Sequence, residues 1–160
     1  MDLKMHRSGL RGLLIVLILS LVFSIGCHDG DNTLPLAPID ITLDPNSTLY
    51  QELNVIGGWL YLGEEDGVVP PSRGLIVYRL STEDFVAFER TPPFKPDSCC
   101  NPNGTNCSKL VVVYEDFNIV DPCTGSKYLL LDGSVLSSPS NMPLGTYYTE
   151  YNGDLLYIHN

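Results

Sequence analysis

Short apolar and aromatic runs, separated by glycine, proline, asparagine and aspartate, recur along most of the chain. They occupy residues 54–63, 74–80, 85–90, 109–115, 126–134 and 146–160. Valine, isoleucine, leucine and tyrosine dominate these runs, and none keeps a helical period over the roughly ten residues that a helix needs. The pattern predicts an all-β fold, an antiparallel sandwich or small barrel of short strands.

Two dipeptides predict where adjacent strands turn. Asn152-Gly153 lies in the middle of "YYTEYNGDLLYI" and is a type I′ hairpin signal, because both residue types tolerate a positive φ. Asp132-Gly133 in "LLLDGSVL" predicts a second tight hairpin. The chain should therefore end in an antiparallel hairpin.

The N-terminus has the three zones of an export signal. Basic residues at Lys4, Arg7 and Arg11 precede an apolar run from Leu13 to Ile25, and Cys27 follows shortly after. The run is shorter than the roughly 20 residues of a membrane-spanning helix. This length favours a cleaved signal over a retained anchor.

The stretch "SIGC" resembles a bacterial lipobox, with Ser24 at the position where leucine is usual. The resemblance implies that residues 1–26 are a lipoprotein signal peptide and that Cys27 is the lipidated first residue of the mature protein. The lipid would anchor the chain to a membrane without crossing it, in the bacterial cell envelope, at the outer membrane or facing the periplasm. The alternative is a plain secretory peptide with Cys27 as a spare thiol.

The remaining chain divides into a tether and one domain. Residues 27–50 carry several prolines and little alternation, which predicts an extended tether able to pair as an edge strand near Ile39 to Leu43. Residues 51–160 are predicted to form a single β domain. Without the signal peptide the chain has 6 basic and 18 acidic side chains, which argues against nucleic acid as a partner because binding phosphates requires lysine and arginine. The sequence does not identify a protein partner.

Four cysteines lie in the predicted domain, at Cys99, Cys100, Cys107 and Cys123. In an exported chain an even number of cysteines predicts disulfides. Neighbouring Cys99 and Cys100 can bond each other only with strain, so one should pair with Cys107 and the other with Cys123. The alternative is a zinc or iron site with four thiolate ligands, although the usual C-x2-C spacing is absent from the sequence.

The order of four segments resembles the Rieske [2Fe–2S] domain family, particularly its small bacterial lipoprotein members. The segments are "GGWLYL", "RGLIVYRLSTEDFVAFERT", "DPCTGSKYLLLDGS" and "SSPSNMPLGTYYTEYNGDLLYI". The third contains a G-S-x-[FY] match from Gly125 to Tyr128. The resemblance implies a Rieske-like antiparallel β fold with two loops at one tip.

The positions of the family's cluster ligands carry the wrong residues in this chain. A Rieske centre takes C-x-H from one loop and C-x2-H from the next. The resemblance places those pairs at Pro92 and Phe94 and at Asp121 and Thr124, and residues 89–96 contain neither cysteine nor histidine. Proline and phenylalanine have no side-chain donor atom. We therefore expect no cofactor, the alternative being a [2Fe–2S] cluster held by other ligands.

The resemblance also bears on the cysteines. In many family members a disulfide joins the two cluster loops, and Cys123 stands where its second cysteine lies. Its partner would be Cys99 or Cys100. The resemblance implies that the disulfide between the loops has been kept while the iron ligands were replaced.

These observations lead to a function hypothesis with alternatives. The chain is expected to be a lipid-anchored, Rieske-like domain of the cell envelope that has lost its cluster and acts as a non-catalytic binding or accessory module. The alternative is an electron-transfer protein that keeps a cluster or a single metal through atypical ligands such as the four cysteines. A thiol-redox role ranks last, because the sequence has no C-x-x-C motif. Motifs for hydrolytic or phosphate chemistry are also absent from the sequence, so no catalytic residue is expected.

Overall fold

The computed structural model describes residues 36–160, and the predicted signal peptide and Cys27 lie outside this range. The described part contains ten strands and three short 3₁₀ helices, and no α-helix. The strands are β1 (Asp40–Leu43), β2 (Trp59–Leu62), β3 (Leu75–Arg79), β4 (Phe85–Glu89), β5 (Val111–Val113), β6 (Asn118–Val120), β7 (Lys127–Leu129), β8 (Val135–Ser137), β9 (Thr146–Tyr151) and β10 (Leu156–His159). The 3₁₀ helices are Thr48–Asn54, Glu64–Asp66 and Tyr114–Asp116. Among the described residues, no helix has the length and apolar character needed to cross a membrane.

The strands form two antiparallel sheets. The larger has six strands in the order β1-β10-β9-β4-β3-β2, and the smaller has four in the order β5-β6-β7-β8. Each pairing is antiparallel. The all-β antiparallel fold predicted from the sequence is therefore confirmed.

Two hydrophobic cores lie on opposite faces of the larger sheet. The first contains residues from both ends of that sheet, including Ile41 of β1 and Leu62 of β2, together with Val77 of β3. Strands at opposite edges can share one core only if the sheet curls around it. The larger sheet therefore encloses the first core by its own curvature.

The second core joins the two sheets. It combines Ile76 of β3 and Phe88 of β4 with Ile119 and Tyr128 from the smaller sheet, all fully buried. Alternate residues of β3 thus enter different cores, as the period of two along a strand requires. The smaller sheet covers the face of β3 and β4 that the curled sheet leaves open.

Each segment predicted from the sequence contains at least one strand. Where the observed strands differ from the prediction, the cause is local. Strand β6, in "NIV", was not predicted, because it has only 3 residues and begins with the buried polar residue Asn118. Strand β1 lies where edge pairing was expected, and Ile39, Ile41 and Leu43 are buried in the first core. The packed part of the chain therefore begins before Gln51, where the sequence placed the start of the domain.

The C-terminal hairpin forms, but its turn differs from the predicted type I′. Tyr151 pairs with Leu156, so the connection has four residues and not two. Asn152 Oδ1 accepts hydrogen bonds from the backbone N–H of Asp154 at 2.9 Å and of Leu155 at 2.8 Å. The asparagine side chain thus replaces the backbone acceptor of a tight turn, and only Gly153 has a positive φ, 101°.

One buried guanidinium ties the larger sheet to its connections. Arg79 at the end of β3 is 8% exposed. It donates to the carbonyl oxygens of Leu53 at 2.8 Å, Ser81 at 3.0 Å and Thr82 at 2.8 Å. Its cation also lies over the Phe85 ring, 5.0 Å from the centroid. Arg79 therefore donates to one carbonyl of the first 3₁₀ helix and to two carbonyls of the connection between β3 and β4.

A second buried polar contact joins β4 to β9. The register between these strands covers only two residue pairs, and the Tyr147 hydroxyl donates to Glu89 Oε2 at 2.9 Å beside them. Burial, and then the charge of Glu89, raises the pKa of Tyr147 well above its ordinary value of 10.0. The folded state therefore keeps the neutral phenol at pH values where an unfolded chain begins to lose the proton.

The raised pKa of Tyr147 predicts alkaline sensitivity. A group whose pKa is higher in the folded state contributes its stability below the unfolded pKa and loses it as the pH rises above that value. The free energy of unfolding should therefore fall as the pH rises from about 10, near the pKa of an unperturbed tyrosine. Urea titrations at pH 8, 10 and 11 should show a smaller fall for Tyr147→Phe than for the native chain.

The matched control is Tyr148→Phe, at an exposed position of the same strand. This variant should show the same fall with pH as the native chain. If the free energy of unfolding of Tyr147→Phe fell with pH as steeply as that of the native chain, Tyr147 would not be a source of the alkaline sensitivity.

Candidate functional site

Two loops define the candidate site. The first loop, residues 90–110, connects β4 of the larger sheet to β5 of the smaller sheet. The second loop, residues 121–126, connects β6 to β7 within the smaller sheet. These loops contain the four predicted ligand positions and the four cysteines of the predicted domain.

A disulfide joins the two loops. Cys99 of the first loop bonds Cys123 of the second, with a Cα–Cα distance of 5.8 Å. Cys100 bonds Cys107 within the first loop. The sequence left open which of the adjacent cysteines reaches the second loop, and the structure assigns that role to Cys99.

The second loop is built around a buried carboxylate. Asp121 is fully buried. Its Oδ1 accepts from the backbone N–H of Cys123 at 2.9 Å, and its Oδ2 accepts from the Thr124 hydroxyl at 2.6 Å. The backbone N–H of Gly125 also donates to the Asp121 carbonyl at 2.8 Å, and Gly125 has a φ of 79°. Asp121 therefore closes the turn from both its side chain and its backbone.

A chain of hydroxyls leads to this carboxylate. Thr124 Oγ1 lies 2.9 Å from Ser126 Oγ, and the backbone N–H of Ser140 donates to Ser126 Oγ at 3.0 Å. Because the single Thr124 proton is given to Asp121, Ser126 must donate to Thr124. The hydrogen bonds then run in one direction, from the Ser140 N–H through the two hydroxyls to the Asp121 carboxylate. In such a chain each hydrogen bond polarises and strengthens the next.

Tyr128 lies below this network, at the end of the G-S-x-[FY] match. Its side chain is fully buried, and its hydroxyl has no hydrogen-bond partner of acceptable geometry among residues 36–160. Burial raises the pKa of Tyr128 above its ordinary value. The hydroxyl therefore stays a neutral phenol next to the second loop at physiological pH.

Arg73 holds the first loop, although the sequence pattern did not indicate it. Its Nη1 donates to the carbonyl oxygens of Pro96 at 2.6 Å and Ser108 at 3.0 Å. Its Nη2 pairs with Asp97 at 2.6 Å, a largely exposed contact that adds little stability by itself. The two carbonyls flank the cysteine-bearing part of the loop, so one guanidinium draws its ends together.

The four positions aligned with cluster ligands do not fit a [2Fe–2S] cluster. Pro92 is buried and Phe94 is half-buried, and neither has a donor atom. The Thr124 hydroxyl donates a hydrogen bond to the Asp121 carboxylate at 2.6 Å. A Rieske centre needs two thiolates and two imidazoles, and these residues provide neither.

A group with metal-ligand atoms lies elsewhere in the first loop. A carboxylate oxygen of Asp97 and the sulfurs of Cys100 and Cys107 lie within 4.8 Å of one another. Both sulfurs belong to one disulfide, and Asp97 pairs with Arg73. Cysteine binds zinc or iron as the thiolate, so the two sulfurs become metal ligands only after reduction of the disulfide.

Comparison with known proteins gave a weak structural likeness. No protein-family model and no curated protein matches the chain. Among solved structures, the chain is similar to one described as the complex of reduced oxygenase and oxidized ferredoxin in carbazole 1,9a-dioxygenase. The identity is 17% and the TM-score 0.42, over 76% of this chain and 92% of that chain. The functional proposal therefore rests on the two loops themselves.

The buried carboxylate predicts a stability effect. Asp121→Ala removes the acceptor of the Thr124 hydroxyl and the Cys123 N–H, so it should lower the free energy of unfolding by about 3 kcal/mol. Urea denaturation with the disulfides intact measures this loss. Asp154→Ala, at an exposed aspartate of the C-terminal hairpin, is the matched control and should leave stability unchanged. Equal stability of the two variants would show that Asp121 does not hold the second loop.

The two disulfides should differ in their effect on stability. They span 24 and 7 residues, and a longer loop restricts the unfolded chain more. Replacing Cys99 and Cys123 with serine should lower the free energy of unfolding by about 3.5 kcal/mol, and replacing Cys100 and Cys107 by about 2.5 kcal/mol. Urea midpoints of the two double variants test the order, and the reverse order would contradict this account.

Proposed function

We propose that this chain is a Rieske-like β domain without a [2Fe–2S] cluster, serving as a non-catalytic binding or accessory module. We further propose that a lipid at Cys27 anchors it to the bacterial cell envelope, with the membrane as its first partner. Nucleic acid is not a partner in this proposal.

The observation that carries the proposal is the hydrogen bond between the side chains of Asp121 and Thr124. The family resemblance places these two residues at ligand positions of the second loop. Here the fully buried Asp121 carboxylate accepts a hydrogen bond of 2.6 Å from the half-buried Thr124 hydroxyl. A ligand must direct a lone pair at the metal, whereas the carboxylate oxygens of Asp121 accept hydrogen bonds from the Thr124 hydroxyl and the Cys123 N–H. The Thr124 oxygen in turn contacts the Ser126 hydroxyl. The polar side chains of the second loop are thus hydrogen-bonded within the loop, without a metal.

The Cys99–Cys123 disulfide supports a binding role. It connects the first and second loops covalently, as a metal centre with ligands from both loops would do. Loops held in this way lose little conformational freedom when a partner binds. Their position at the surface, with Cys99 exposed and Cys123 half-buried, suits recognition more than chemistry.

The location proposal rests on chemistry as well as on the N-terminal pattern. Structural disulfides persist in oxidising compartments such as the bacterial periplasm, and two disulfides lie in the described part of the chain. The acidic excess of the chain after the signal peptide suits a soluble domain beside a membrane.

Electron transfer through atypical ligands is the alternative, favoured by the grouping of Asp97, Cys100 and Cys107. It requires free thiolates, because a disulfide sulfur is a poor ligand. In that case the purified protein should contain iron, because zinc has no redox chemistry, and free thiols should appear when the metal is removed.

The proposal predicts a colourless, fully oxidised protein. Purified anaerobically from its native compartment, it should show no visible absorbance and less than about 0.1 iron per chain. A structural metal binds tightly enough to survive purification, so any cluster present in the cell would be detected. Intact mass measurement should show Cys99, Cys100, Cys107 and Cys123 without free thiols, and a diacylglyceryl group at Cys27.

The matched comparison is the variant with serine at Cys99 and Cys123. It should have the same iron content as the native chain, because no cluster depends on these residues. Stoichiometric iron or visible absorbance that this variant loses would overturn the proposal in favour of electron transfer. Free thiols among the four cysteines of the domain would do the same. An unmodified Cys27 would overturn the lipid anchor alone.

A further inference from the structure

A cavity of about 230 Å³ lies beside the base of the first loop. Four prolines form much of its wall: Pro71, Pro93, Pro96 and Pro143. Glu89, the last residue of β4, also lines the cavity. Arg73 and Asp97 also line the cavity and pair with each other, so Glu89 is the charged group of the lining that lacks an ionic partner among the described residues. A mostly apolar cavity with a few convergent polar groups is the usual form of a small-molecule site.

Glu89 is 5% exposed and serves as an acceptor for neutral donors. Its Oε1 accepts from the backbone N–H of Arg73 at 3.1 Å and from both the N–H and the hydroxyl of Thr91, at 2.8 and 2.6 Å. Its Oε2 accepts only from the Tyr147 hydroxyl, at 2.9 Å. A carboxylate oxygen can accept about two bonds, so Oε2 retains capacity for one more donor.

No cationic side chain pairs with Glu89 among the described residues. Within residues 36–160 the ion pairs are Arg73 with Asp97 and His159 with Glu150. The Arg73 guanidinium is held by carbonyl oxygens of the first loop. Neutral donors orient a buried carboxylate but leave its charge uncompensated, which is costly in an apolar setting.

Arg90, the neighbouring arginine, makes its contacts with groups other than Glu89. Arg90 follows Glu89 and therefore points to the other side of the chain. Its guanidinium lies 3.6 Å from the centroid of the Tyr61 ring, and its Nε donates to the Leu110 carbonyl at 3.2 Å. The charge of Glu89 is therefore open to a cation that enters from the cavity.

We propose that this cavity binds a small organic cation, a primary ammonium group on a short apolar chain. The ammonium would donate to Glu89 Oε2, and the apolar chain would lie against the proline walls. The size of the cavity limits the apolar part to a few carbons, and the acidic surface of the domain raises the local concentration of cations. This inference does not depend on the loss of a cluster, because none of the four residues at the ligand positions lines the cavity.

The test is a chemical-shift titration of the ¹⁵N-labelled full chain with butylammonium chloride, and with 1-butanol as the uncharged analogue. Butylammonium should shift the amides of Arg73, Thr91 and Gly145 saturably, with a dissociation constant of about 1 mM or weaker, as the small number of ligand atoms dictates. The affinity for 1-butanol should be at least about tenfold lower, because it lacks the charge that Glu89 requires.

The deciding variant is Glu89→Gln. Its amide oxygen can keep the bonds from Arg73 and Thr91, and its amide N–H can donate to the Tyr147 oxygen in reverse, so the change removes the charge and keeps the contacts. Butylammonium affinity should fall at least about tenfold, a loss typical of removing a charged hydrogen-bond partner. Glu150→Gln, at an exposed position on β9, should bind as the native chain does.

A second variant makes the test independent of the folding of Glu89→Gln. Pro143→Trp places an indole at the exposed rim of the cavity and leaves Glu89 intact. It should abolish the saturable shifts. Equal affinity for butylammonium and 1-butanol, shifts that do not saturate, or unchanged binding in Pro143→Trp would each overturn the proposal.

Discussion

The rest of the structure depends on β3 and β4 being covered on both faces. Successive side chains of a strand point to opposite sides, so Val77 enters one core and Ile76 the other. A strand pair that is apolar on both faces needs two protecting layers. The chain provides one by curling the larger sheet and the other by packing the smaller sheet against it. The first loop is the connection between these layers, because it leaves β4 and enters β5.

Two constraints hold the loops that this arrangement creates. The Cys99–Cys123 disulfide links them across 24 residues of chain, which removes conformational freedom from the unfolded state. The buried carboxylate of Asp121 closes the second loop through charge-assisted hydrogen bonds. Together they restrict the conformational freedom of the two loops. They are the physical basis for interpreting the loops as a recognition surface.

Much of the fold could be predicted because its signals are local. The continuous apolar runs "LIVY" and "FVAF" became the doubly covered strands β3 and β4, and the Asn-Gly pair marked the last hairpin. Strand β6 escaped prediction because three residues cannot show a period, and its position depends on Ile119 packing into the second core. The turn at Asn152 differed because its side chain offered an alternative acceptor.

The sequence by itself determined the fold class, the turn positions and the absence of cysteine and histidine from the expected ligand positions, since these follow from residue type and order. It also limited the cysteine pairing to two choices, because adjacent cysteines rarely bond each other. Only the tertiary structure decided that Cys99 reaches Cys123 and that Glu89 lies in a proline-walled cavity. These outcomes depend on distances between residues far apart in the chain, which packing of the two sheets sets and local sequence does not encode.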